Sequence, residues 1–79
     1  MKVLLFAQAR HAAGRDSLLL PTDRPLTQPE FWSLLLKNCP ALAPHQKSAR
    51  LARRETYLQG DDLLLPNDEI ALLPPVSGG

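Results

Sequence analysis

The sequence predicts an α+β fold in which one main helix packs on one face of a mixed β-sheet. Three observations carry that expectation. Apolar segments with a two-residue period stand near both ends of the chain, at 2–7 and 69–73. A single strong helix signal lies between them, and short apolar segments separated by turn residues supply the other strands. One helix against one sheet is the economical two-layer solution for such a set.

Taken in order, Lys2 to Ala7 reads as a strand with Val3, Leu5 and Ala7 on one face. A turn-prone stretch at 12–16 separates it from Ser17-Leu18-Leu19-Leu20, and the two segments pair as an antiparallel hairpin across a longish loop. Thr27-Gln28-Pro29-Glu30 has the Thr-x-x-Glu spacing of a capping box, with Leu26 before it and Phe31 placed for a hydrophobic staple. Pro29 is tolerated in a first turn, where N–H groups have no intrahelical partner. Phe31, Leu34 and Leu35, flanked by Trp32 and Leu36, form a wide apolar stripe. The helix over 28–38 ends before Pro40, because the residue preceding a proline is disfavoured in the α region. Residues 40–48 form a connector with room for a helical turn, and Arg50 to Leu58 reads weakly as one strand. Turns at 59–62 and 66–68 flank the short apolar Leu63-Leu64-Leu65, and the strand 69–73 stops at Pro74-Pro75. The expected core is Val3, Leu5, Leu19, Phe31, Leu34, Leu35, Ile70 and Leu72.

With 79 residues the chain holds one domain, and 44% hydrophobic composition is enough to fold it. The expected division is a domain over 1–73 and a tail over 74–79. Cys39 is the only cysteine, so an intrachain disulfide and any Cys-x-x-Cys motif are excluded. A cytoplasmic setting is expected, since the apolar run near the start is too short for a secretory signal. No apolar stretch approaches the roughly 20 residues of a membrane span. A net charge of +1 makes no case for nucleic acid. The charge is unevenly spread: all nine Lys and Arg fall in residues 1–54, and five of the eight acids fall in 55–79. Such polarity can steer partners.

The ending Pro74-Pro75-Val76-Ser77-Gly78-Gly79 is the informative feature. Two prolines after a strand turn the chain off the sheet into an extended path, and the two glycines leave an end slim enough to enter a narrow channel. A Gly-Gly ending arises by chance about once in 200 chains, so it carries weight only in combination. A strand-rich body with one helix and a proline-lifted Gly-Gly tail resembles the ubiquitin-like β-grasp family. Within that family, the opening Val3-Leu4-Leu5-Phe6-Ala7-Gln8-Ala9-Arg10 and the ending Asp68 to Gly79 are similar to the small subunits of molybdopterin synthase. Arg53-Arg54 stand where that family usually carries a Val-Asn pair.

The resemblance implies a sulfur carrier for molybdenum cofactor biosynthesis. The Gly79 carboxylate would be adenylated with ATP by an E1-like adenylating enzyme and converted to a thiocarboxylate by a sulfur donor protein. Gly78 and Ser77 complete the working tail, and the large synthase subunit would receive it. The chain would then be an accessory subunit rather than a catalyst on its own, with no bound cofactor. It has no Gly-x-x-x-x-Gly-Lys-Ser/Thr loop for ATP phosphates. A thiamine-pathway or tRNA-thiolation carrier shares the chemistry with another acceptor, and a non-catalytic β-grasp interaction module is the alternative of another class.

The remaining polar residues point to no second centre. Cys39 reads as a buried small hydrophobe beside Pro40, and His11 and His45 read as exposed loop residues, so no metal site is expected. Asp61-Asp62 and Asp68-Glu69 lie in turns, where Asp bonds the backbone. Arg50, Arg53 and Arg54 read as a solvated, charge-protected edge strand. Strand alternation leaves Leu4, Phe6 and Leu73 facing outward. The expected docking face is Phe6, Leu73 and Tyr57 with Arg10 at its rim, the surface to which the family resemblance also points.

Overall fold

A computed structural model describes residues 1–75. Five strands form one sheet in the order β2-β1-β5-β3-β4, where β1 is Lys2–Leu5, β2 Ser17–Leu19, β3 Arg50–Arg53, β4 Thr56–Tyr57 and β5 Glu69–Leu73. The pairing β1·β5 is parallel and the other three are antiparallel, so the sheet is mixed as expected. Two α-helices, α1 over Ala7–Ala13 and α2 over Gln28–Asn38, and a 3-10 helix over Pro40–His45 complete the fold.

The capping box of α2 forms as its spacing predicts. The Glu30 N–H donates to Thr27 Oγ1 at 3.3 Å, and the Thr27 N–H donates to Glu30 Oε1 at 3.0 Å. That backbone bond, then the Thr27 hydroxyl and Arg24, hold the Glu30 carboxyl below the usual carboxylate value. Phe31, Trp32 and Leu35 bury the inner stripe, and Phe31 meets Trp32 edge-on at 6.0 Å between ring centroids. Leu34 is only partly buried, at the margin of the core rather than inside it. Val3, Leu5, Ile70 and Leu72 come from the sheet as expected, joined by Leu20, Leu42 and Leu64. Leu64 reaches the core because its segment makes a two-way backbone bridge with Leu26, at 2.8 Å in each direction.

Four expectations need correction. Ala7 does not continue β1: it takes φ 52° and starts α1, so a helix replaces the loop that was to join the first two strands. That helix stops at Gly14 with φ 72°, where a left-handed residue is needed and glycine adopts it without strain. Leu19 is 74% exposed, and Leu18 and Leu20 fill the core instead. Register explains the exchange, because Leu18 pairs with inward-facing Val3 and Leu19 with outward-facing Lys2. The segment 50–58 is a hairpin rather than one strand, turning at Arg54 (φ 53°) and Glu55 (φ 66°). Two consecutive left-handed residues define a tight two-residue turn, and neither side chain favours it. β3 consequently lies inside the sheet, and β4 is the edge.

The Arg53-Arg54 departure acquires a physical account here. Arg53 Nη1 donates to Asp68 Oδ2 at 2.6 Å and to the Leu63 carbonyl at 2.9 Å, tying the 63–68 loop to β3. Partial burial pushes the Asp68 carboxyl up, but bonds from the Leu65 N–H and Arg53 outweigh it and hold it below the usual range. Arg54 occupies a left-handed position that asparagine tolerates better, at a strain of roughly 1 kcal/mol.

Candidate functional site

The sheet has a helix-covered face and an open one. Alternation along β1, β3 and β5 sends Val3, Leu5, Leu51, Ile70 and Leu72 inward, and Leu4, Ala52, Ala71 and Leu73 outward. Phe6 follows directly on β1 and is 42% exposed. A shallow groove of about 320 Å³ runs over Leu4, Phe6, Ala71 and Leu73, with Arg54, Glu55 and Glu69 as its charged border. Tyr57 is exposed on β4, and Arg50 lies over its ring at 4.3 Å from guanidinium carbon to centroid. Expected docking residues Phe6 and Leu73 are therefore neighbours in one groove, while Tyr57 stands opposite Ala52 at the sheet edge. Arg10 lies one turn into α1, its backbone N–H donating to the Phe6 carbonyl at 3.3 Å and its side chain 4.0 Å from Asp16.

A second, smaller cleft of about 80 Å³ sits where the tail leaves the fold. Phe6 and Gln8 form one wall, His45 another, and Leu73, Pro74 and Pro75 close it. His45 is half-buried in the 3-10 helix, not exposed on a loop, and its carbonyl accepts the Ala49 N–H at 2.9 Å. Sequence reasoning missed this residue because no local periodicity reports that the 3-10 helix packs against α1. It missed the Arg50–Tyr57 pairing for want of the turn at Arg54-Glu55. Another open groove, of about 530 Å³, lies between residues 21–26 and the solvent side of α2.

Gly79, Gly78 and Ser77 lie outside the described residues. Cys39 caps the C-terminus of α2, half-buried against the core, with its N–H donating to the Leu35 carbonyl at 2.7 Å. His11 is exposed on α1. Among the described residues no three His, Cys, Asp or Glu side chains gather as a metal-holding group, and no helix is long and apolar enough to cross a membrane. The body thus presents an apolar face and a tail root, two features suited to docking.

The model of the ThiS family matches residues 3–79. The chain belongs to the ThiS family. Curated relatives in it are molybdopterin synthase sulfur carrier subunits: that of Dictyostelium discoideum is 37% identical over 99% of this chain and 94% of its own. That of Homo sapiens is 33% identical over 100% of this chain and 93% of its own. Among solved structures, SAMP1 from Haloferax volcanii, a small archaeal modifier protein, superposes with a TM-score of 0.82 at 26% identity. The superposition covers 100% of this chain and 98% of that one, so the ubiquitin-like β-grasp fold holds for this member of the ThiS family.

Proposed function

We propose that this chain is the sulfur carrier subunit of a molybdopterin synthase and that its working group is the Gly79 carboxylate. The supporting observation is the end-to-end similarity to sulfur carrier subunits of that enzyme, in a chain whose last strand runs into Pro74-Pro75 and a Gly-Gly ending. A carboxylate is a poor electrophile and needs activation. A carboxylate oxygen attacks the α-phosphorus of ATP bound to an E1-like enzyme, releasing pyrophosphate and leaving an acyl adenylate. Sulfide delivered by a sulfur donor protein then attacks the acyl carbon and displaces AMP, giving the thiocarboxylate. The large synthase subunit receives the loaded tail, and two loaded carriers serve each dithiolene. We place these steps in the cytoplasm, where ATP is at hand.

The docking face in this reading is Phe6 and Leu73, with Tyr57 at the sheet edge and Arg10 at the rim. The outward placement of Phe6 and Leu73 beside Pro74-Pro75 supports it, because a partner seated there also meets the tail. The test is chemical. Incubated with ATP, an E1-like enzyme and a sulfide source, the chain gains the mass difference between sulfur and oxygen, and fragmentation places the gain on Gly79. Deleting Gly79 abolishes the gain, and Cys39→Ser leaves it intact. Sulfur found on Cys39 overturns the mechanism.

The likeness to a modifier protein favours a second reading, in which the same activated carboxylate is attacked by a lysine amine to form an isopeptide. Isopeptide-linked adducts in the same incubation, in place of thiocarboxylate, would decide for it.

A further inference from the structure

Arg50 belongs to the open face, yet neither the core nor the groove accounts for it. It stands opposite Leu73 in the β3·β5 register, and Ala52 stands opposite both Ala71 and Tyr57. Residues opposite one another in a sheet share a face, so Arg50 and Tyr57 lie on the same side as Leu73 and Ala71. The Arg50 guanidinium rests over the Tyr57 ring, its carbon 4.3 Å from the centroid, and both side chains are exposed. Stacking uses the flat face of a guanidinium and leaves the N–H donors in its plane. Among the described residues, arginine side chains donate hydrogen bonds from Arg24 and Arg53, and the ion pairs belong to Arg10, Arg24 and Arg53. Arg50 meets no carboxylate there. The acids of this face lie away from it: Glu69 is at the other end of β5, beside Lys2 in the β1·β5 register, and Glu55 adjoins Arg54 in the hairpin turn. The rise of the strand from Glu69 to Leu73 is about 13 Å.

We infer that the Arg50–Tyr57 pair is a recognition point for an Asp or Glu carboxylate on the protein that docks against the open face. The inference rests on the carrier reading and deepens it, by stating the chemistry of the large subunit's contact surface. A guanidinium offers its donors in a fixed fork that matches a carboxylate. Resting on the ring, it is held before the partner arrives, so less side-chain freedom is lost on binding. Arg and Tyr are also the residue types in which interface energy concentrates, provided that neighbouring contacts exclude water. Leu73, directly opposite Arg50, and Phe6 beyond it in the groove are the apolar neighbours that do so. Nucleic acid fits this face poorly, because Glu55 and Glu69 border the same groove and repel a phosphate backbone. A protein surface can set one carboxylate against Arg50 and apolar side chains against Leu4, Phe6 and Leu73.

Calorimetric titration of the full chain with its large synthase subunit reads the pair directly. Arg50→Gln raises Kd about tenfold or more, and Arg50→Glu raises it about tenfold further, because like charges then face each other. Arg50→Lys, a charge without the fork, falls between the parent and Arg50→Gln. Tyr57→Leu keeps an apolar side chain but removes the ring, so it weakens binding in the parent and has little effect in Arg50→Gln. Lys37→Glu, the same charge reversal on the solvent side of α2, leaves Kd within about twofold and controls for net charge. Arg50 and Tyr57 are exposed, so circular dichroism should show each variant folded. Equal Kd for Arg50→Gln and Arg50→Glu means that no carboxylate faces the site, and overturns the inference. So does an Arg50→Glu chain that loses self-association or oligonucleotide binding while its complex with the large subunit is unchanged, which gives the pair to another occupant. A parent chain that forms no complex overturns the carrier reading and this inference with it. A parent complex indifferent to every Arg50 variant overturns the inference alone.

Discussion

The two faces of β5 differ as much as any two regions of this molecule, although they alternate along five residues. Ile70 and Leu72 point to the helices and are fully buried. Glu69 is exposed on the other side, and Ala71 and Leu73 are half-buried there under the open groove. A small domain has little surface to spare, and the two-residue period lets one strand serve both the core and the docking face proposed above. That proposal implies separability: substitutions on the inner face act on stability, and those on the open face act on binding.

The most severe way to test that separation is to empty the inner face. Leu72→Ala should cost about 2–5 kcal/mol by loss of transfer energy and creation of a cavity. A urea titration of this variant should show a large fall in midpoint, and a loss below 1 kcal/mol would mean that β5 does not carry the core. Next comes the corner that closes the sheet. Asp68→Asn removes the ionic partner of Arg53 and should cost about 1–2 kcal/mol at neutral pH. The folded Asp68 carboxyl titrates below its unfolded value, so its contribution is complete above about pH 5 and is lost as pH falls through the folded pKa. Stability measured from pH 6 down to pH 2 should therefore fall less steeply in Asp68→Asn than in the parent chain.

Smaller effects sharpen the contrast. Thr27→Ala removes both Oγ1 contacts of the capping box and should lower stability by about 1 kcal/mol. Arg54→Asn should act in the opposite direction, raising stability by about 0.5–1 kcal/mol by suiting the left-handed turn. A decrease would show that Arg54 makes an energetic contribution outweighing its backbone strain. Phe6→Asp, on the open face, should shift the melting temperature least while weakening the complex with a large synthase subunit tenfold or more by calorimetry. A variant that melts early but binds normally would break the separation of faces.

Much of this fold is legible locally. The capping box, the inner stripe of α2 and the alternation of β5 each depend on residues within one or two turns of each other. The misreadings fall where local preference and tertiary demand disagree. Ala7-Gln8-Ala9-Arg10 carries no cap, and its helix exists because Ala9 and the 3-10 helix bury each other's surface. Arg54-Glu55 lacks the Asn-Gly or Asp-Gly signature of a tight hairpin, so the pairing of β3 with β4 holds the turn rather than the turn setting the pairing. Leu18-Leu19-Leu20 offers three equal candidates for the core, and only the register against β1 chooses between them.

By itself, the sequence determined the α+β class, the main helix with both its ends, the inward residues of β1 and β5, and the stop of the last strand at Pro74-Pro75. These follow from periodicity and from the backbone limits of proline, which act over a few residues. Tertiary structure alone decided that β5 lies between β1 and β3, that Arg53 reaches fifteen residues along the chain to Asp68, and that His45 stands beside the tail root. Each of those contacts joins segments whose own sequences carry no record of the partner, because burial and charge pairing reward proximity in space whatever the distance along the chain.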